Sequence, residues 1–76
     1  MDFHTATDAL KDAGISLREQ AKALGVEYQT LAQMRMKPGA SGYRSPPAPD
    51  VWRAALRDLA RERSEQLAGL AERLDS

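Results

Sequence analysis

Between Gly25 and Pro38 the chain places Tyr28, Gln29, Gln33 and Arg35 within one short helical stretch. Their common chemistry is recognition of flat, polar partners rather than the making or breaking of bonds. A glutamine amide pairs bidentately with adenine, arginine favours guanine or phosphate, and tyrosine meets a thymine methyl or a phosphate. Ser16, Arg18, Thr30, Lys37 and Arg44 lie on either side and supply the hydroxyls and cations that hold a sugar-phosphate backbone. Catalytic chemistry has no comparable representation. His4 is the only histidine, cysteine is absent, and neither Ser16 nor Ser45 has a histidine near it in sequence. No metal-ligand set, nucleophile elbow or glycine-rich phosphate loop can be drawn from these residues, so no enzyme activity, metal or cofactor is expected.

Composition narrows the class. A chain of 76 residues supports one thin core and no second domain. With 42% hydrophobic and 29% charged residues, much of the apolar share being alanine and leucine, closely packed helices are expected in place of disorder. The absence of cysteine removes disulfides and thiolate metal sites as stabilisers, which leaves oligomerisation as the simplest supplement. No apolar run approaches the roughly 20 residues of a membrane span, and MDFHTATD has no signal-peptide pattern, so an intracellular, cytoplasmic location is expected. The formal net charge is zero, but its distribution is uneven: Tyr28 to Pro49 carries Arg35, Lys37 and Arg44 with no acidic residue. A locally basic segment inside a neutral protein is compatible with a polyanion partner.

Helices must position these groups. Phe3, Ala6, Leu10 and Ala13 recur at helical spacing, with Thr5 as the expected N-cap, Asp8 three residues on, and Gly14 as the terminator. Ser16 and Glu19 have capping-box spacing and predict a second helix over 17–24, closed by Gly25. A third is predicted over 28–36, with Glu27 at its N-cap and Leu31 and Met34 inward. KPGASGYRSPPAPD cannot be helical and is read as a loop over 37–50. Asp50 is the expected cap of a last helix over 51–74, about 36 Å long if it does not break near Ser64. Trp52, Ala55, Leu56 and Leu59 should close the core, whereas Leu67, Leu70, Ala71 and Leu74 have no expected partner within the chain. Pairing with the same helix of a second copy would cover them.

The second and third helices have the spacing of a helix-turn-helix. Gly25 supplies the turn, Val26 fills the corner, Ala21 allows close approach, and Leu31 and Met34 face inward. With these five occupied in packing, the opposite face of the third helix is left for base edges. Ser16 to Met36 resembles the helix-turn-helix of the phage-repressor (Cro and XRE-type) family. Ala13 through Leu59 is similar, more narrowly, to small anti-CRISPR-associated (Aca) regulators, through AGISLREQAKALGV and GYRSPPAP. The resemblance implies a dimeric, all-helical DNA-binding repressor that binds an inverted repeat near its own promoter, with base-contacting positions at Tyr28, Gln29 and Gln33. Two residues depart from the family pattern: Gln20 stands where an apolar residue is usual, and Glu27 brings a negative charge to the start of the recognition helix.

The expectation is an all-α protein of four to five helices, a single domain over 1–76 with its helix-turn-helix at about 16–36. Its expected partners are double-stranded DNA and a second copy of itself, with no membrane and no small-molecule ligand. The competing reading is a protein-interaction module, such as an antitoxin-like or inhibitor subunit, for which the zero net charge gives some room.

Overall fold

The computed structural model describes residues 1–75. Four helices and no strand are present among them: α1 (Phe3–Asp12), α2 (Leu17–Leu24), α3 (Tyr28–Met34) and α4 (Pro49–Leu74). None is long and apolar enough to cross a membrane among the described residues.

The first two turns are built alike. Gly14 and Gly25 take positive φ, 96° and 72°, which glycine adopts without a Cβ penalty. After α1, Gly14 N–H donates to the Lys11 carbonyl and Ile15 N–H to that of Leu10. After α2, Gly25 N–H donates to Lys22 and Val26 N–H to Ala21. Each pair uses helix-end carbonyls that would otherwise have no donor, and each is followed by an apolar residue tucked against the helix it ends. Ile15 is buried and Val26 packs on the core, so both bends are fixed by hydrogen bonds and by burial.

The N-caps differ from the sequence expectations in two places. Asp2, not Thr5, caps α1, its carboxylate accepting from Thr5 N–H at 2.8 Å. Those hydrogen bonds hold the Asp2 carboxyl below its ordinary range. Ala48 is the N-cap of α4, with Pro49 following in the first turn, where its fixed φ and missing N–H suit the helix start. Asp50 therefore lies inside the first turn, where it meets the positive end of the helix dipole rather than capping it. Glu27 occupies the N-cap of α3 but makes no side-chain capping bond. Its extra methylene makes it a poorer cap than the short side chains preferred there. Ser16 does cap α2, accepting from Glu19 N–H at 3.1 Å while its hydroxyl donates to the Glu19 carboxylate.

Phe3, Ala6, Ala21, Leu31, Met34, Trp52 and Leu56 form the core, with Leu10, Leu17, Leu24 and Val26 packed around it. Trp52 anchors α4 by meeting Phe3 edge to face, ring centroids 5.3 Å apart at 86°. Two polar side chains are fully buried, Thr7 and Gln20. The Gln20 amide donates to the carbonyls of Thr7 and Ile15, at 3.1 Å each, and so ties α2 to α1 and to the turn between them. Its Oε1 has no hydrogen-bond partner among the described residues.

Helix α4 is unbroken through Ser64 and spans 26 residues, about 39 Å. The radius of gyration, 14.2 Å, exceeds the roughly 11 Å of a compact chain of this length, because the second half of α4 projects beyond the body. Arg63, ion-paired with Glu19 of α2, is the last half-buried residue of α4; beyond it Leu67, Leu70 and Leu74 are 58%, 42% and 76% exposed.

Candidate nucleic-acid interface

Helix α3 packs against α2 and turns Leu31 and Met34, which are 1% and 9% exposed, into the core. At 100° per residue the direction opposite these two falls within about 10° of Gln29, with Ala32 and Gln33 about 50° to either side of it. Gln29 and Ala32 are exposed, and Gln33 is half-buried. Small Ala32 beside Gln29 leaves room for a flat polar partner to approach the helix closely.

Tyr28 stands at the margin of this face, 42% exposed, and the Arg18 guanidinium lies over its ring at 4.6 Å from the centroid. Arg18 of α2 therefore has an aromatic seat on α3. The stacking fixes both side chains at the mouth of the α2–α3 hairpin, where the guanidinium edge remains available to a phosphate. Ser16 is exposed, but its hydroxyl is engaged in the cap. What α2 offers a phosphate is its unpaired first-turn backbone amides. The Glu19 carboxylate at the same helix start is matched by Arg63, which offsets the repulsion it would otherwise exert.

Arg35 departs from expectation. Its guanidinium Nε donates to Thr7 Oγ1 at 3.0 Å and its Nη2 pairs with Asp8, leaving the side chain 16% exposed. It follows the last residue of α3 and lies four residues after Leu31, hence on the inward side of the helix and at the end away from the turn. It joins α3 to α1 and is not presented with Gln29 and Gln33. Asp8 is shared further, its other oxygen lying 3.3 Å from His4 Nδ1.

The loop after α3 is ordered by its own hydrogen bonds. Ala40 N–H donates to Lys37, Tyr43 N–H to Ala40, and Arg44 N–H to the Gln33 carbonyl at 3.3 Å, which brings Arg44 back to the end of α3. Lys37 and Arg44 are exposed and make no ion pair among the described residues. Tyr43 and Pro46 are half-buried beside Phe3, Met34 and Met36, covering that edge of the core. Thr30 is half-buried on the flank of α3. The loop thus sends its aromatic ring inward and its cations outward. The structure brings Tyr28, Gln29 and Gln33 together with Arg18, Lys37 and Arg44 around α3, and leaves Arg35 out.

Sequence reasoning did not find Thr7 and Ile15. Ile15 sits directly after a helix-ending glycine, the position at which an apolar residue folds back onto the helix, and that signal was available. Thr7 carries none beyond its place next to Ala6.

No group of three or more histidine, cysteine, aspartate or glutamate side chains able to hold a metal occurs among the described residues. No family model, curated protein or solved structure matches the chain.

Proposed function

We propose that this chain is a sequence-specific DNA-binding repressor that acts as a dimer, each copy laying α3 in a major groove of an inverted-repeat operator. The observation that carries this reading is the outer face of α3, where the side chains of Gln29, Ala32 and Gln33 make no hydrogen bond among the described residues while the angle to α2 is held by Gly25, Val26 and Ala21. The amides at the start of α2, together with Arg18, Lys37 and Arg44, flank that face and supply phosphate contacts. Glu27, exposed and not used in capping, lies where it can accept from a cytosine amine. Its charge also weakens binding to a phosphate placed there.

The phage-repressor likeness makes the regulated unit a phage or mobile-element operon that includes the repressor's own gene, and the Aca likeness makes it an anti-CRISPR operon. Repression would follow from occupancy alone, the bound dimer excluding polymerase. Selection from random duplexes tests the reading: recovery of a two-fold repeated motif supports it, and recovery of no common motif refutes it. If Arg18, Lys37 and Arg44 touch phosphates on both half-sites, each substitution to alanine should lower the slope of log affinity against log salt by about two, or roughly one per lost contact.

A further inference from the structure

A long apolar groove runs between α1 and α4, with a volume of about 370 Å³, walled by Met1, Ala9 and Leu10 on one side and by Arg53, Arg57 and Ala60 on the other. It is open to solvent, and its only polar side chains are Arg53 and Arg57 on its α4 wall. On the same helix, Leu67, Leu70 and Leu74 stand in solvent. Groove wall and leucines are not independent features. Arg53, Ala60, Leu67 and Leu74 follow one another at intervals of seven along α4, so they lie on one slowly turning face of a continuous helix. The first half of that face borders a groove that lacks an occupant, and the second half is an apolar ridge that lacks a groove.

We infer that a second copy of this chain closes both at once, the C-terminal half of each α4 lying antiparallel in the α1–α4 groove of the other. A two-fold axis near the middle of α4 sets the first half of one face against the second half of its equivalent, which is the closed, self-complementary arrangement of an isologous dimer. A register with Leu67 beside the partner's Ala60 brings Leu74 level with the partner's Arg53 and Asp75 one residue beyond it, so opposite charges come close at both ends. Arg53 is already fixed at the groove mouth, donating to the Met1 carbonyl at 3.1 Å with its guanidinium over Trp52. Tip-to-tip pairing of the leucines would bury only Leu67, Leu70, Ala71 and Leu74 from each copy, well short of the roughly 800 Å² per partner of a stable specific interface. Seating each ridge in a groove adds both groove walls to the buried surface, twice over.

This docking mode specifies the two-fold pairing of the proposed repressor and is independent of what α3 reads. The protein contains no cysteine, which makes cross-linking direct. Positions 60 and 67 lie about 10 Å apart along one helix, too far for a disulfide within a chain. The double variant Ala60→Cys, Leu67→Cys should form a covalent dimer on mild oxidation, while neither single variant should, because antiparallel pairing keeps like positions apart. No covalent dimer from the double variant overturns the docking mode, and so does efficient cross-linking by Leu67→Cys alone, which marks the tips as the interface. Sedimentation without DNA supplies the second arm. Ala9→Glu in the groove and Leu74→Glu on the ridge should each abolish the dimer with helix content unchanged, since both positions are exposed in the single chain. A monomeric intact protein, or a dimer untouched by Ala9→Glu, overturns the mode. Retained binding of the monomeric Leu74→Glu variant to a duplex carrying one half-site shows that the reading by α3 stands separately from the dimer.

Discussion

Replacing Arg35 with alanine should weaken the fold and leave sequence preference on DNA unchanged. The guanidinium is 16% exposed and makes two contacts of different value. Its hydrogen bond to the buried Thr7 hydroxyl contributes about 1 kcal/mol net. Its pair with Asp8, which is 41% exposed, is screened by solvent and adds less than about 1 kcal/mol. The sum, about 1–2 kcal/mol, corresponds in a domain of this size to a melting temperature lower by about 5–15 °C. Thermal unfolding of Arg35→Ala, Asp8→Ala and the double variant measures the loss, and the double-mutant cycle separates the Asp8 pair from the Thr7 bond. Titration of Arg35→Ala against the preferred duplex and single-base variants, well below its melting temperature, completes the test. An unchanged melting temperature combined with lost discrimination at a guanine would refute the reasoning, because Arg35 would then have to leave Thr7 and Asp8 and act on DNA.

The remaining predictions concern positions that hold α2 and α1 in place. Gln20→Leu keeps the buried volume but withdraws the donor from the Ile15 carbonyl, which lies outside any helix, and should cost about 1–3 kcal/mol in denaturant unfolding. Gln20→Glu should cost more, since an ionised carboxylate has no proton to donate and would face two carbonyls. The Asp2 carboxyl titrates below its ordinary range in the folded chain, so its contribution is complete above the unfolded pKa of about 3.9 and is lost as pH falls through the lower folded value. Protection of the Thr5 amide, measured against its intrinsic exchange rate at each pH, should therefore fall in acid, and Asp2→Ala should show the lower protection already at neutral pH.

Elements governed by local rules were legible in the sequence. The bounds of α2 follow from Ser16, Glu19 and Gly25 alone, because a cap and a left-handed glycine are determined by their immediate neighbours. The inward placement of Leu31 and Met34 and the anchoring by Trp52 follow from periodicity and size. What escaped depends on pairs distant in sequence. Arg35 looks like a free cation until Thr7 and Asp8 are brought to it from 28 and 27 residues away. Gln20 looks like a polar residue in an apolar position until the backbone of the preceding turn accepts its amide. The start of α4 was misread because Asp50 is a strong local cap signal, and Pro49 directly before it is a stronger reason to begin the helix earlier. Of the candidate site, Tyr28, Gln29 and Gln33 required only the knowledge that Leu31 and Met34 point inward, whereas the stacking of Arg18 on Tyr28 required the angle between two helices.

The most direct measurement is a titration of the intact chain and of Gln29→Ala against the selected duplex and its single-base variants at fixed salt. The intact chain should discriminate each altered position by about 1–3 kcal/mol, the usual value of one mismatched base pair. Gln29→Ala should lose discrimination at one base pair in each half-site while keeping its salt dependence, as expected of a side chain that meets a base edge and no phosphate. Equal affinity of the intact chain for all duplexes, or an identical profile for Gln29→Ala and Gln33→Ala, would contradict the assignment of the outer face of α3 to base reading.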